Sequence, residues 1–261
     1  MLRKNSKIFI AGHNGLVGSS ILQLLKKNKY KKILLRNRNQ LDLTDFKKVD
    51  FFFKKNKPEF IIMCAARVGG ILENKKYPIE FLLDNLSIQN NLLLASKKYK
   101  LKRVIFLGSS CIYPKISKIP IKESYLMSGK LEETNEAYAI AKIAGIKLCS
   151  ILHDQYGKDV ICLMPTNVYG KNDNFDVKSS HVIPGMITKF INAKKSKKNV
   201  KIWGTGKPIR EFIHVEDLAS AILFSMKISK KKLLQITKQE IPMINVGTGE
   251  SITIKKLAYL M

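Results

Sequence analysis

The stretch Lys7–Gly18, KIFIAGHNGLVG, decides how this 261-residue chain reads. Its first half is a short apolar run suited to a buried strand, and the residues after it, Leu16 to Lys27, carry a helix-like pattern. Between them lie Gly12, Gly15 and Gly18. Glycines at a strand-to-helix turn allow a tight bend and let the backbone approach a pyrophosphate resting on the helix N-terminus. The spacing is GxxGxxG, a weak motif that a purely structural turn could also produce. Its place between strand and helix is what gives it weight.

Outward from this turn the pattern repeats. Strand-like Lys32–Arg36, Phe60–Ala66, Arg103–Ser110 and Asp159–Pro165 alternate with helix-like Phe46–Lys55, Ile79–Tyr99 and Ala137–Tyr156. Almost wholly apolar strands alternating with helices predict a parallel sheet covered on both faces, with ligands at the carboxyl ends of its strands. The expected class is α/β, a Rossmann-type doubly wound sheet with a smaller C-terminal lobe. Beyond Pro165 the pattern predicts a helix over Ile183–Lys194, a strand over Val200–Trp203 and a helix over Val215–Met226. Residues 1–165 are expected to form the dinucleotide-binding domain, with 211–247 returning to it. Residues 166–210 and 248–261 are expected to form a partial substrate lobe. The closing ITIKKLAYLM breaks off inside an amphipathic helix without a C-terminal cap, which predicts a truncated lobe.

Hydrophobic content of 45% and charged content of 26% are ordinary for a globular chain. No apolar run approaches the roughly 18 residues that span a bilayer, so no membrane partner is expected. The four cysteines show no CxxC pairing and no ligand spacing with the four histidines, so no metal and a reducing, cytoplasmic setting are expected. The net charge of +27 raises the question of nucleic acid. That charge is mostly lysine in short pairs such as Lys26–Lys27 and Lys194–Lys195, without interleaved aromatics, which reads as a solvated surface.

At the second strand's end, LLRNRNQLDL places Arg36 and Arg38 where a carboxylate would select NAD, with no acid before Asp42. Guanidinium groups pair with a ribose 2′-phosphate, so NADPH is the expected cofactor. YAIAK sets Tyr138 and Lys142 four apart on one helix face, where an ammonium can stabilise a phenolate. SSCIY, after the fourth strand, offers Ser109 or Ser110 to a substrate carbonyl.

Together GxxGxxG, Ser109, Tyr138 and Lys142 resemble the extended short-chain dehydrogenases. Longer strings, including FLGSSCIYPK, TNEAYAIAK, SHVIPG and REFIHVEDLA, resemble the GDP-L-fucose synthase branch of that family from about residue 7 to the chain end. The resemblance implies NADPH-dependent epimerisation, then 4-keto reduction, of a GDP-linked 4-keto-6-deoxy sugar. It implies Tyr138 as proton donor, Lys142 lowering the Tyr138 pKa, Ser109 orienting the keto oxygen, and Cys111 and His181 as the acid–base pair for inversion at carbons 3 and 5. Read alone, Cys111 would be a buried inert thiol and His181 a loop histidine capping a helix.

The implied cofactor contacts are Gly12, His13, Asn14, Gly15, Leu16, Val17 and Gly18, then Arg36, Arg38, Asp42 and Leu43. They continue with Leu107, Gly108, Ser109, Ser110 and Lys142, and end with Pro165, Thr166, Asn167, Val168 and His181. Lys189, Trp203 and Arg210 are the implied substrate contacts. An acidic substrate contact implied beyond the last residue is absent, and a homodimer through helices 79–99 and 137–156 is implied. The rival readings are an NAD-retaining nucleotide-sugar epimerase or dehydratase and a non-catalytic nucleotide sensor. Arg36, Arg38 and the Cys111/His181 pair speak against the first, and the Tyr138–Lys142 pair against the second.

Overall fold

The computed structural model describes residues 2–176, 179–237 and 243–261. Residues 238–242, inside the segment expected to return to the first domain, lie outside the described residues, as do Met1, Val177 and Lys178.

Strands β1 (Lys7–Ala11), β2 (Lys32–Leu34), β3 (Phe60–Met63), β4 (Arg103–Leu107), β5 (Val160–Pro165) and β8 (Met243–Val246) form one sheet in the order β2-β1-β3-β4-β5-β8. Every neighbouring pair in it is parallel. This is the Rossmann-type sheet that the apolar strands predicted. The order reverses at β1, because β2 lies on one side of it and β3 on the other, and the crevice this opens is where the glycine turn sits.

Helices α1 (Leu16–Lys27), α2 (Phe46–Asn56), α4 (Pro78–Lys98), α5 (Glu136–Tyr156) and α7 (Val215–Lys227) cover the sheet. Alternate strand residues feed two cores. Phe9, Ile61, Val104 and Phe106 pack toward Phe53, Leu92 and Cys149, while Ile8, Ile10, Ile62 and Ile105 pack toward Ile21, Leu25 and Leu218. The α7 end of the second core is tied down by Arg103. That guanidinium binds the Asp159 carboxylate at 2.8 and 3.1 Å and donates to the Ser225 and Ile228 carbonyls.

The second lobe is built from β6 (Asn167–Tyr169), α6 (Val182–Ser196), β7 (Ile209–His214), β9 (Ser251–Thr253) and α9 (Ile254–Tyr259). Its sheet has the order β6-β7-β9, parallel across the first pair and antiparallel across the second. Two short helices, α3 (Ile71–Lys76) and α8 (Lys230–Thr237), and three single-turn 3-10 segments at Ser110–Ile112, Glu123–Tyr125 and Glu133–Asn135 complete the described elements.

The strand expected over Val200–Trp203 is absent. Those residues run as irregular chain into a turn where Gly204 and Gly206 have φ of 71° and 70°, and the strand forms later, at Ile209. Positive φ breaks an extended run, and β7 takes both β6 and β9 as its partners. The closing segment is also divided: Ser251–Thr253 pairs as β9, and Thr253 then caps α9 by accepting from the Lys256 amide at 3.1 Å.

Candidate active site

A single cavity of about 740 Å³ runs along the carboxyl ends of the large sheet and on toward α6. Its floor begins at the glycine turn. A Cβ on Gly18 would meet the Gly12 carbonyl oxygen at 2.1 Å, and one on Gly12 would meet the Ala65 nitrogen at 2.6 Å. Both positions are glycine because protein atoms leave no room. Gly15 differs, since its Cβ would have only the Gly12 oxygen nearby, at an ordinary 3.6 Å. Gly15 is exposed and caps α1 without a side chain, and the first turn of α1 has no acidic residue. The α1 N-terminus therefore offers backbone N–H groups and a positive dipole end to an anion. Arg36 and Arg38 are exposed at the same cavity's wall, and Asp42 turns inward to accept from the Thr44 amide and hydroxyl at 3.0 and 2.8 Å. Two cations and an occupied carboxylate suit a phosphorylated ribose.

Further along, β4 ends at Leu107 and a 3-10 turn over Ser110–Ile112 follows. Ser109 Oγ accepts from the Cys111 amide at 3.4 Å, which places the serine at the lip of the sheet. Tyr138 and Lys142 arrive from the first two turns of α5, as their spacing predicted. Lys142 is nearly fully buried, its Nζ donates to the Leu107 carbonyl at 2.9 Å, and it lies 5.7 Å from the Tyr138 ring centroid.

Burial dominates the electrostatics of this corner. It pulls the Lys142 ammonium down to about 8, leaving the group mostly charged at neutral pH. It also pushes the Tyr138 phenol well above its ordinary range, with Cys111 adding to the rise. Burial thus acts on Tyr138 in the direction opposite to the lowering that the resemblance implied for Lys142. Burial likewise pushes the Cys111 thiol up to about 11 against the pull of Ser109 and Lys142, which keeps its proton in place.

The far wall carries Pro165, Thr166, Asn167 and Val168 at the end of β5 and start of β6, and His181 at the head of α6. His181 caps the helix with its backbone and makes no side-chain cap bond, which leaves its ring to the cavity. Among the described residues, four buried polar atoms on this cavity's wall lack a protein partner, and a polar ligand could supply one: His13 Nδ1, Thr166 Oγ1, Asn74 Oδ1 and Asp173 Oδ2. The residues present therefore fit a dinucleotide lying from the glycine turn to the β5 end.

Every residue expected to touch the cofactor lines this cavity, and so does Tyr138. Cys111 lies one residue behind the lining Ser110. Lys189, Trp203 and Arg210 lie outside the cavity. Lys189 Nζ stacks over the Trp203 ring at 4.2 Å, whereas Arg210 is exposed on β7 and donates to the Ile209 carbonyl at 2.8 Å.

Among the lining residues that sequence reasoning missed are several charged and polar ones. Arg67 and Asp84 form a 3.1 Å ion pair, and Asn74 and Asp173 each bring an unpartnered oxygen. Arg67 lies within AARVGGI, residues 65–71, and Asp173 opens DNFD, residues 173–176, but no spacing rule marks a lone loop polar residue as cavity-facing.

A family model described as "NAD dependent epimerase/dehydratase family" matches residues 8–236. The chain belongs to that family. The GDP-L-fucose synthase of Escherichia coli (strain K12) is 45% identical over 253 residues, covering 97% of this chain and 79% of that protein. GDP-L-fucose synthase 1 of Arabidopsis thaliana is 45% identical over 262 residues, covering 100% of this chain and 78% of the relative. Among solved structures, the GDP-mannoheptose C4 reductase of Campylobacter jejuni with NADP bound superposes with a TM-score of 0.89. It is 35% identical and covers 100% of this chain and 85% of its own. In this member of the family, no helix among the described residues is long and apolar enough to cross a membrane.

Proposed function

We propose that this chain is a GDP-L-fucose synthase. It uses NADPH to convert GDP-4-keto-6-deoxy-D-mannose to GDP-L-fucose by inversion at carbons 3 and 5 and reduction at carbon 4. The observation that carries the reading is the meeting, in one cavity, of the glycine turn, two arginines at the β2 end, and Ser109, Tyr138 and Lys142 at the β4 end. Similarity at 45% identity to two GDP-L-fucose synthases, over 97% or more of this chain, supports it. The family name mentions NAD, but the Arg36 and Arg38 pair favours the 2′-phosphate of NADPH.

NADPH supplies the hydride for carbon 4. The protein's share is to hold and move protons. Tyr138, kept protonated by burial, donates to the oxygen on carbon 4 as it becomes an alkoxide. Lys142 stays charged beside it and stabilises the phenolate left behind. Ser109 keeps its hydroxyl proton for the keto oxygen, and that bond also favours the enolate through which carbons 3 and 5 invert. Each inversion removes a proton from one face of the carbon and returns one to the other, a task that suits Cys111 and His181, which come from separate elements. Lys189 and Trp203, already stacked, suit a diphosphate and a flat ring, and Arg210 a second phosphate contact.

The same reading divides the chain into a cofactor domain, 1–165 with 211–247 returning, and a sugar-facing lobe of 166–210 and 248–261. It also makes the enzyme a cytoplasmic homodimer. Exposed Ile79, Leu83 and Leu94 on α4 and Ile140 and Ile151 on α5 supply an apolar face for a second copy.

A second reading, a C4 reductase for another GDP-linked keto sugar, draws on the Campylobacter likeness. The test is NADPH oxidation with GDP-4-keto-6-deoxy-D-mannose and identification of the product by NMR. GDP-L-fucose is expected. A 4-reduced sugar lacking inversion at carbons 3 and 5 would favour the second reading, and NADPH binding with no oxidation would defeat the first.

A further inference from the structure

Among the described residues, two buried polar side chains line the cavity, Lys142 and Asn74. Lys142 has the Leu107 carbonyl as its partner. Asn74, 7% exposed, is matched on one side only. Its Nδ2 donates to the Gly69 and Gly70 carbonyls at 2.9 and 3.1 Å. Carbonyl oxygens can only accept, so they fix which way the amide faces and leave Oδ1 over. That oxygen is buried and has no hydrogen-bond partner among the described residues. An acceptor withdrawn from water and left unmatched is costly, and the cavity is the space from which a donor can reach it.

The two glycines that Asn74 holds join the two sides of the site. Gly69 is packed on the Tyr138 side: a Cβ there would meet the Phe81 ring at 3.1 Å, and Phe81 stands edge-on to the Tyr138 ring at 6.4 Å. Gly70 is packed on the His181 side. Its amide donates to the Ser179 carbonyl at 3.0 Å, and a Cβ on it would strike the Ser180 oxygen at 2.7 Å, one residue before His181. Helix α3, which carries Asn74, also rests on the Glu133–Asn135 turn that leads into α5 and Tyr138. The unmatched oxygen therefore belongs to the stretch of wall between the two residues that act on the sugar.

We propose that Asn74 is a specificity-determining residue whose Oδ1 accepts a hydrogen bond from a hydroxyl of the hexose in the GDP-linked keto sugar. The inference rests on the proposed function and deepens it. In that hexose carbon 4 is a ketone and carbon 6 a methyl, and neither can donate. The hydroxyls on carbons 2 and 3 are the donors available. A sugar lacking the matching hydroxyl leaves the oxygen buried and unpaired, which is how a polar site rejects a deoxygenated analogue.

The test compares wild type and Asn74→Ala on GDP-4-keto-6-deoxy-D-mannose and on its 2-deoxy and 3-deoxy counterparts, read as kcat/KM for NADPH oxidation. Wild-type turnover of the parent sugar is measured first, so that failure of the functional reading is seen separately. Wild type should prefer the parent about tenfold over at least one counterpart. In Asn74→Ala that preference should shrink below about twofold, and comparing the two ratios cancels any difference in intrinsic reactivity. Asn74→Leu, similar in size and apolar, supplies a second background where loss of the two glycine contacts keeps Asn74→Ala from folding. A wild-type preference below about twofold against both counterparts would overturn the proposal without any variant. An undiminished preference in Asn74→Ala would overturn it too, leaving Asn74 a clamp on Gly69 and Gly70. So would a loss of NADPH affinity with the sugar preference intact, which would give the oxygen to the cofactor.

Discussion

The two lobes are built to different standards. In the large sheet, Ile8, Ile10, Ile61, Ile62, Val160 and Ile161 are essentially inaccessible, and Ile61 and Val160 share one core with the buried Phe53 and Phe106. The second lobe has a small core of Ile183, Met186, Leu257 and Ala258, each retaining some exposure, and Trp203, Ile191, Tyr259 and Leu260 stand out in solvent. The difference teaches a division of labour. The large-sheet side is tightly packed, while the second lobe is held by short strands and turn hydrogen bonds. Under the proposed function, hydride and proton meet at Tyr138, Lys142 and Ser109, which all stand on the tightly packed side.

The sharpest way to break this comparison is chemical. Tyr138→Phe should cut reduction by about 10²–10⁴ while leaving NADPH affinity intact, checked by single-turnover absorbance and a binding titration. A matching loss of cofactor affinity would mean that Tyr138 holds the dinucleotide instead.

The next contrast lies inside the glycine turn. Gly18→Ala collides with the Gly12 carbonyl and should cost about 1–3 kcal/mol in chemical denaturation. Gly15→Ala should leave stability within about 0.5 kcal/mol and yet weaken NADPH, because its methyl group enters the space meant for the ligand. Equal destabilisation by both would contradict the assignment of that space.

Between the lobes, Phe53→Ala should destabilise the protein by about 3–5 kcal/mol and Leu257→Ala by clearly less, since its site is open on one side. Thermal melts of the two variants would decide it.

A smaller effect is expected from pH. Lys142, drawn down to about 8, loses its charge as pH rises through that value, so kcat/KM should decline on a limb centred near it. The stability effect has the opposite sign. With a folded pKa below the unfolded 10.5, burial of the charged lysine opposes folding at low pH. Relative to Lys142→Met, the protein should therefore gain stability between about pH 8 and 10.5.

The same contrast explains what the sequence made legible. Leu16–Lys27 was bounded correctly because the glycine turn starts the helix and Lys26–Lys27 end it at Asn28. Apolar runs identified the buried strands, though each was read long: Phe60–Ala66 pairs only to Met63, where the chain leaves the sheet to line the cavity. The second lobe resisted. The strand expected at Val200–Trp203 formed at Ile209–His214, whose outer residues are too exposed to give an apolar signature. The site was legible where motif and element coincide, as at Tyr138 and Lys142. It was illegible where a loop turns one polar atom inward, as at Asn74 and Asp173.

The measurement that bears most directly on the account is the isotopic pattern of product formed in D2O with unlabelled NADPH. One cavity performing both inversions and the reduction predicts deuterium at carbons 3 and 5 and cofactor-derived protium at carbon 4 of GDP-L-fucose. Protium retained at carbons 3 and 5, or deuterium at carbon 4, would contradict it.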